Sequence, residues 1–567
     1  MKYFTLYLSL LFLMGACSKS ESTVDTAATE SEAANSDAAL VIKAGAPLFS
    51  GLGLHTLAIT ASDPGVQRYF DQGLILAFGF NHAESIRSFK AAQKLDPQCA
   101  MCFWGEALAI GPNINVTSNG SVIMSDADRL TAYAVLNKAI ALKKFASVKE
   151  GDYIDALSAR YNGDVSTERM PLDLAYAEAM GQLAEKYPED NDAAALYAES
   201  LMNTMPWNYW LGDGDPKPDT VKVISGLEHI IRNDPEHPLA LHLYIHATEA
   251  SLNPQRAEAA ADELANLVPG SGHLVHMPAH IYWRVGRYHD ASVANVRAAE
   301  VDEEYIAQCN AQGFYPALYY PHNIHFLWAA SSMEGRSEVA ISAARKVAAN
   351  IRLEQIEQFP TVEFFNTIPL LALTQFGRWD ELLEEPRPPE ALSYSNAIWH
   401  YTRGVAFSRK GDIDAAKAEH TALQDLLGDV KVVFLDSRDY PASSLLGIAN
   451  NLLRGEIAIA ESNLDLAISE FSSAVDAQDA LPYTEPPFWY YPTRQSLGVA
   501  HLLAGNAEEA EAVYRKDLTI YPRNGWSMYG LMQSLEAQEK FDAALEVEDK
   551  FDLIWALADV KLSGSRL

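Results

Sequence analysis

The stretch GLILAFGFNHAESIRSFKAAQKLDP, from Gly73 to Pro97, predicts two helices joined by a turn. Apolar residues recur at helical spacing in both halves, and the final Leu-Asp-Pro ends the second helix because proline cannot continue it. Gly73 is followed by Phe89, Ala92 and Pro97 at offsets of 16, 19 and 24 residues. Further helical hairpins with the same marker residues are therefore expected elsewhere in the chain.

Similar helix-ending and turn residues recur over most of the chain. Further units end in a proline, at Pro188, Pro235, Pro269 and Pro522. Turn glycines mark other units, at Gly286, Gly335, Gly377, Gly411 and Gly505. Strand signals are nearly absent, so the sequence predicts an all-α array of helix–turn–helix repeats.

The spacing of Gly73, Phe89, Ala92 and Pro97 resembles the tetratricopeptide repeat (TPR). The resemblance covers most of residues 60–550 and implies a TPR-like α-α superhelix, or solenoid. The run Glu384–Pro389, rich in proline and charge, is the best candidate for a boundary. We therefore expect an N-terminal superhelix over 47–385, with a His-rich groove, and C-terminal TPR repeats over 386–567.

Composition excludes several classes of partner. The 567 residues include 43 Lys+Arg and 75 Asp+Glu, for a formal net charge of −32. Nucleic-acid binding and attachment to anionic lipid both need clustered basic residues, so this balance argues against nucleic acid and against a polybasic membrane surface. Hydrophobic residues make up 49% of the chain, which is typical of a well-packed globular protein.

The first seventeen residues have the pattern of an export signal: Lys2, an apolar run from Tyr3 to Met14, and then Gly15-Ala16-Cys17. A cysteine in this position resembles the lipobox of bacterial lipoproteins, which implies lipidation of Cys17. Residues 18–46 are predicted to be a disordered linker. We expect a protein of the bacterial cell envelope, attached to the outer membrane and facing the periplasm. Ordinary secretion, with an incidental cysteine, is the alternative.

The cysteines are too few to build an exported fold on disulfides. Cys99 and Cys102 form a CxxC pair, and Cys309 stands alone. Without a second CxxC, two small residues at a helix start, which a local disulfide can join, are favoured over a metal or redox pair.

The clustering and spacing of the histidines are the strongest indication of function in the sequence. Ten of the 15 lie between His229 and His325. Three sets share a helix face because their members are three, four or seven residues apart. These sets are His242, His246 and Glu249; His273, His276 and His280; and His322 with His325.

The TPR resemblance implies where these residues point. Counted from the repeat ends, all eight fall at positions 2, 5, 9 or 12 of the first helix of a repeat, which line the groove in that family. The same register places Glu199 and Trp283 toward the groove, with Asn203 one turn beyond Glu199. These last three are expected to support or line the pocket.

Imidazole and carboxylate at this spacing suit a divalent transition metal such as Zn, Fe, Cu or Mn. Eight groups exceed one tetrahedral shell, so the sequence allows either two ions or one ion with additional acid/base histidines. We expect a metal site that serves a hydrolase or an oxidase, with catalytic residues not assigned. Two alternatives stay open: an envelope scaffold that binds a protein or peptide in the groove, and a protein for metal storage or delivery.

Overall fold

A computed structural model describes residues 37–118, 120–212, 214–309 and 314–567. The predicted signal peptide, Cys17 and positions 18–36 of the predicted linker lie outside the described residues. Within that linker, residues 37–44 are helical, and the three alanines and one leucine among these eight residues favour that conformation. Residues 49–567 form one compact unit, and the described residues before Phe49 belong to another.

The described part of the compact unit is helical almost throughout, which confirms the all-α solenoid. Its first helices are Pro64–Phe78, His82–Leu95, Ala100–Ile110, Asp126–Leu142, Val148–Ser158, Arg169–Lys186, Asn191–Asn203 and Pro218–Asn233. The middle helices are Pro238–Thr248, Glu258–Leu267, Gly272–His276, Pro278–Val285, Tyr288–Cys309, Tyr320–Met333, Ser337–Ala349, Leu353–Gln358, Ile368–Gln375 and Trp379–Glu384. The last helices are Ser393–Lys410, Ile413–Gln424, Val430–Asp436, Ala442–Ala460, Leu464–Asp479, Arg494–Leu503, Ala507–Ile520, Gly525–Ala537 and Phe541–Ile554.

Short irregular elements complete the described structure. Lys143–Phe145, Pro254–Ala257 and Pro360–Thr367 are 3₁₀ helices, and Tyr315–Tyr319 is a π-helical turn. Thr117–Ser118 and Ser121–Val122 form a small antiparallel ribbon, in which Thr117 pairs with Val122. No helix among the described residues is both long enough and apolar enough to cross a membrane.

The 16-residue spacing seen in the sequence corresponds to direct packing of an aromatic ring against glycines on neighbouring helices. The ring of Phe89 lies against Gly73, sixteen residues before it, and against Gly105, sixteen residues after it. Tyr514 lies in the same way between Gly498 and Gly530. A Cβ built on Gly73 would come within 2.9 Å of the Phe89 ring, so glycine lets three successive helices close around one buried aromatic side chain.

The turn glycines end helices as predicted. Gly286 and Gly411 follow the Pro278–Val285 and Ser393–Lys410 helices with φ of 76° and 81°. This left-handed conformation is accessible to glycine and strained for residues with a Cβ. Each of these glycines therefore lets the chain reverse into the next helix of the array.

Cys99 and Cys102 are joined by a disulfide at the start of the Ala100–Ile110 helix. Cys99 is also the N-cap, and its Sγ accepts a hydrogen bond from the backbone N–H of Cys102. The structure therefore agrees with the local, structural interpretation of this CxxC pair.

The predicted boundary at Glu384–Pro389 is a short irregular connection between the Trp379–Glu384 and Ser393–Lys410 helices. The chain on both sides of it belongs to the same compact unit. This continuity matters for function, because a residue from the second half reaches the histidine cluster of the first.

Candidate metal centre

Four helices bring the clustered histidines together. Pro238–Thr248 carries His242 and His246, Gly272–His276 carries His273 and His276, Pro278–Val285 carries His280, and Tyr320–Met333 carries His322. The first of these helices has a fixed start, because His237 Nδ1 accepts the backbone N–H of Ala240 and proline occupies the next position. All six clustered histidines are buried except His322, which is half-buried.

The first triad, which we call site A, consists of His242, His246 and His273. One ring nitrogen from each residue lies within 4.8 Å of the other two. His242 Nδ1 lies 2.7 Å from the carbonyl oxygen of Phe78, and His246 Nδ1 lies 2.8 Å from Glu249 Oε1. Because both partners are acceptors, each Nδ1 carries the proton, which leaves each Nε2 as a lone-pair donor to a metal.

The free ring nitrogens of site A have no protein partner. Neither His242 Nε2, His246 Nε2 nor either nitrogen of His273 is hydrogen-bonded to a described residue. Burial, followed by the neighbouring imidazoles, lowers the pKa of His242 and His273 well below the usual value, so both rings are neutral. Neutral imidazoles with unpartnered nitrogens are the form that binds transition metals.

The second triad, site B, consists of His276, His280 and His322. His276 Nε2 lies 2.8 Å from His280 Nε2 and 3.0 Å from His322 Nε2. His276 Nδ1 lies 2.6 Å from Asn295 Oδ1, and Asn295 Nδ2 donates to the carbonyl oxygen of Ala291. The amide therefore presents its oxygen to His276, so the proton is on Nδ1 and Nε2 carries a lone pair.

The distances between the ring nitrogens of site B are close to those between the ligand atoms of a bound metal ion. Zn–N bonds of about 2.0–2.1 Å place two nitrogens of a tetrahedral shell roughly 3.3 Å apart. Burial, followed by the neighbouring imidazoles of His280 and His322, lowers the pKa of His276 well below its usual value, which argues against a shared proton. A cation between the three nitrogens relieves the repulsion between their lone pairs.

Glu249 connects the two sites. It follows the Pro238–Thr248 helix and is fully buried. Its Oε1 accepts the Nδ1–H of His246, and its Oε2 accepts the Nδ1–H of His280 at 2.5 Å. Burial opposes its ionisation, but His280 and His246 lower its pKa on balance, so it is a carboxylate. The sequence predicts Glu249 as a metal ligand, and it belongs to a candidate ligand group with His280 and Glu485. In the structure it also contacts one histidine of each triad, a common arrangement of carboxylates around metal sites.

Glu485 joins the cluster from the second half of the chain, and the sequence analysis missed it. Its Oε2 lies 3.4 Å from His280 Nδ1, and Glu249, His280 and Glu485 form a further group of candidate ligands. Burial, followed by the charge of Glu249, raises the pKa of Glu485 well above its usual value, so it is a neutral acid. No helical spacing marks Glu485, because it lies in the irregular segment before the Arg494–Leu503 helix.

Aromatic side chains enclose site A. The ring of Phe80 lies 4.6 Å from that of His242 and 5.3 Å from that of His273, measured between centroids. Phe80 has φ of 57°, in the left-handed region, so the turn after the Pro64–Phe78 helix directs its ring onto the histidines. Trp207 lies 5.1 Å from the His246 ring. Phe80 was not identified from the sequence, since its position depends on this turn.

His325 is the one predicted ligand that the structure places outside these groups. Its ring stacks on Trp328 at 5.2 Å and meets Phe364 edge-on at 5.3 Å. Burial alone lowers its pKa to about 3. Although His325 follows His322 by three residues, an apolar environment surrounds its ring, and it lines a cavity beside site B.

The three predicted supporting residues differ in how they are placed relative to the two triads. Trp283 packs edge-on against Tyr288 and Phe326, at 5.2 and 5.9 Å, and belongs to the aromatic packing behind site B. Glu199 belongs to none of the candidate ligand groups among the described residues, and the charge it feels most is that of Arg160. Asn203 is buried one turn further along the same helix.

A separate group, His55, Asp192 and His237, lies at the start of the Pro238–Thr248 helix. His55 Nε2 is 2.9 Å and His237 Nε2 is 3.4 Å from Asp192 Oδ1. Since His237 Nδ1 accepts the helix-capping N–H, its proton is on Nε2, facing the carboxylate. The hydrogen bond between His55 and Asp192 and the helix cap of His237 join the segment around His55 to two helices.

Two neighbouring cavities that share lining residues lie beside the triads. The larger, of about 310 Å³, is lined by His246 of site A, by His280 and His322 of site B, and by Glu485. The smaller, of about 140 Å³, shares His322, Phe364, Thr484 and Glu485 with it. Both sites therefore face space that a small molecule can occupy.

Comparison with known proteins finds only distant structural likenesses. No protein-family model matches the chain, and no curated protein matches it. Solved structures that are similar include the human IFIT1 dimer with m7Gppp-AAAA, at 14% identity over 87% of this chain and 90% of that one, with a TM-score of 0.32. The Cut9–Hcn1 hetero-tetramer of APC/C is similar at 12% identity over 86% and 87%, with a TM-score of 0.28. The TPR domain of P58(IPK) is similar at 12% identity over 86% and 99%, with a TM-score of 0.22. With every score below 0.5, these likenesses carry no argument about the site.

Proposed function

We propose that this helical-repeat protein binds divalent transition-metal ions at sites A and B and uses them in catalysis. The observation that carries the proposal is the convergence of three Nε2 atoms in site B, with the Nδ1 atoms of His276 and His280 held by Asn295 and Glu249. Site A repeats the design, with Nδ1 of His242 and His246 held by a backbone carbonyl and by Glu249. Three imidazoles, of which two in each triad have a fixed tautomer, favour Zn, Fe, Cu or Mn.

The arrangement suits an enzyme better than a closed structural site. Three protein ligands leave a position for water or substrate, as in catalytic zinc sites, and the adjoining cavity of about 310 Å³ gives access to it. A bound ion would supply a Lewis acid that activates water or dioxygen, which fits a hydrolase or an oxidase. Glu485, a neutral buried acid beside His280, is positioned to donate a proton.

Export and lipidation at Cys17 form part of the same proposal. The sequence pattern of residues 1–17 supports them. The disulfide between Cys99 and Cys102 supports an oxidising compartment, since such bonds are rare in the cytosol. In the periplasm the acidic chain would meet metal ions directly, and its negative charge attracts cations.

Elemental analysis of the purified protein from metal-replete cells tests the metal proposal. We expect two transition-metal ions per chain, one of which is lost in His242→Ala/His246→Ala and the other in His276→Ala/His322→Ala. His229→Ala is the matched control, because His229 lies outside all the candidate ligand groups. Absence of bound metal from the unaltered protein would refute the proposal. Bound metal without exchangeable water would indicate storage or delivery rather than catalysis.

A protein-binding role is the second candidate, favoured by the last helix of the array. Phe541, Leu545 and Leu553 on that helix are 61%, 57% and 80% exposed. Exposed apolar residues grouped on one element are typical of interaction surfaces. Loss of a co-purifying partner in Phe541→Ser/Leu545→Ser, with the metal content unchanged, would support this role.

A further inference from the structure

We infer that the smaller cavity beside site B binds an uncharged, single-ring aromatic molecule that carries an oxygen substituent, of the phenol class. The identification of this molecule as the substrate rests on the proposed metal function, whereas its binding to the cavity does not. Size, charge and hydrogen-bonding groups each support the inference.

The size and walls of the cavity fit one aromatic ring. Its volume is about 140 Å³, and an apolar cavity of about 150 Å³ in another protein accommodates benzene. Aromatic side chains from both halves of the chain form much of the wall: Trp328, Phe364, Tyr394, Tyr440, Phe488, Trp489 and Tyr490. Aromatic rings pack favourably in edge-to-face or offset contacts, so such a wall favours a flat aromatic occupant over an aliphatic one.

The charge of the wall favours a neutral ligand. The lining includes no lysine or arginine, so nothing there compensates the charge of a carboxylate or phosphate. An anionic ring such as benzoate would lose its hydration without gaining a cationic partner.

Three buried polar atoms on the lining residues call for an oxygen-bearing ligand. The indole nitrogens of Trp328 and Trp489 have no hydrogen-bond partner among the described residues, although these side chains are only 2% and 3% exposed. Glu485 Oε2 likewise lacks one. Indole N–H groups only donate, so they match an acceptor oxygen, and a carboxyl group matches a hydroxyl. A phenolic oxygen serves both.

The position of the cavity places this substituent near the metal centre. His322 of site B and Glu485 belong to the walls of both cavities. A ring held by the aromatic wall, with its oxygen toward Glu485, therefore has its polar end beside the residues that the two cavities share. In this orientation the oxygen-bearing carbon of the ligand, rather than the far edge of its ring, lies nearest to site B.

Calorimetry and saturation-transfer NMR with phenol, toluene and benzoate on the purified full chain test the inference. We expect saturable binding of phenol, about ten-fold weaker binding of toluene, and no binding of benzoate. N-acetyl-tyrosinamide distinguishes the source: binding comparable to that of phenol assigns a tyrosine side chain of a peptide, and binding of phenol alone assigns a free small molecule. Equal binding of all ligands, or of none, would overturn the inference.

Two variants localise the binding. Leu371→Trp fills the cavity from one wall and should abolish phenol binding, whereas Leu54→Trp adds the same indole at a residue 97% exposed and should not. Trp489→Phe keeps the aromatic wall and removes one N–H, so it should reduce the preference for phenol over toluene about five-fold. If the preference for phenol over toluene is unchanged in Trp489→Phe, the hydrogen bond from the Trp489 indole is refuted. This test holds even if Leu371→Trp fails to fold. If the chain binds phenol but no metal, this inference stands and the proposed function is refuted. If the chain binds metal but no phenol, the proposed function stands and this inference is refuted.

Discussion

Replacing Glu249 with Ala should weaken both metal sites at once, although the change removes no ring nitrogen from either triad. Its two carboxylate oxygens hold the Nδ1 atoms of His246 in site A and His280 in site B, at 2.8 and 2.5 Å. Removal of such a partner typically lowers metal affinity about 10- to 100-fold. This corresponds to about 1.4–2.7 kcal/mol at each site.

Glu249→Gln sharpens the test, because an amide has one acceptor oxygen and one donor nitrogen. The oxygen still accepts from one imidazole, but the NH₂ group faces the N–H of the other. That second ring must carry its proton on Nε2, the atom that would bind the metal, so its site should be lost while the other is retained.

Competition for Zn²⁺ with a chromophoric chelator measures both stepwise affinities in these variants. Glu334→Gln is the matched control, since Glu334 is also a buried carboxylate that accepts from a histidine, His289, but lies outside the candidate ligand groups. Affinities unchanged in Glu249→Ala, or one site abolished and the other intact, would refute the bridging role. The second result would indicate that Glu249 is itself a ligand.

Three further predictions test the site and the fold. Asn295→Ala removes the acceptor of His276 Nδ1 and should weaken site B alone, by about ten-fold in the same competition assay. Gly105→Ala places a Cβ into the Phe89 ring and should lower the free energy of unfolding by about 1–3 kcal/mol in urea titrations, whereas Gly447→Ala, with open space around it, should not. Burial raises the pKa of Asp517 from 3.8 to about 7, so the folded state binds a proton more tightly, and the stability of the protein falls as pH rises between those values. Asp517→Asn should lose less stability over that window than the unaltered protein, by no more than about 4 kcal/mol, and an equal loss in both would contradict the assignment.

The repeat architecture was predictable because its determinants are local. Helical periodicity, proline at the end of a unit and the 16-residue interval from Gly73 to Phe89 are all properties of short stretches. The structure uses that interval again at Gly498 and Tyr514, so one packing rule recurs far along the chain. The same local logic placed His242 with His246, and His276 with His280, because residues four apart share a helix face.

The partners that each side chain meets were not predictable, because they depend on how separate helices pack. Residue spacing treats Glu249 and His325 as equivalent to the other ligands, yet Glu249 lies between two imidazoles and His325 lies against aromatic rings. Glu485 reaches His280 only because the two halves of the chain form one compact unit.

The sequence by itself determined that this protein is a helical-repeat array with histidines on shared helix faces, since backbone hydrogen bonding and side-chain periodicity are set over a few residues. Only the tertiary structure decided that six of those histidines form two triads, with Glu249 between them and an aromatic cavity beside them. Ligand geometry depends on distances of a few ångströms between residues far apart in the chain, and those distances are set by packing.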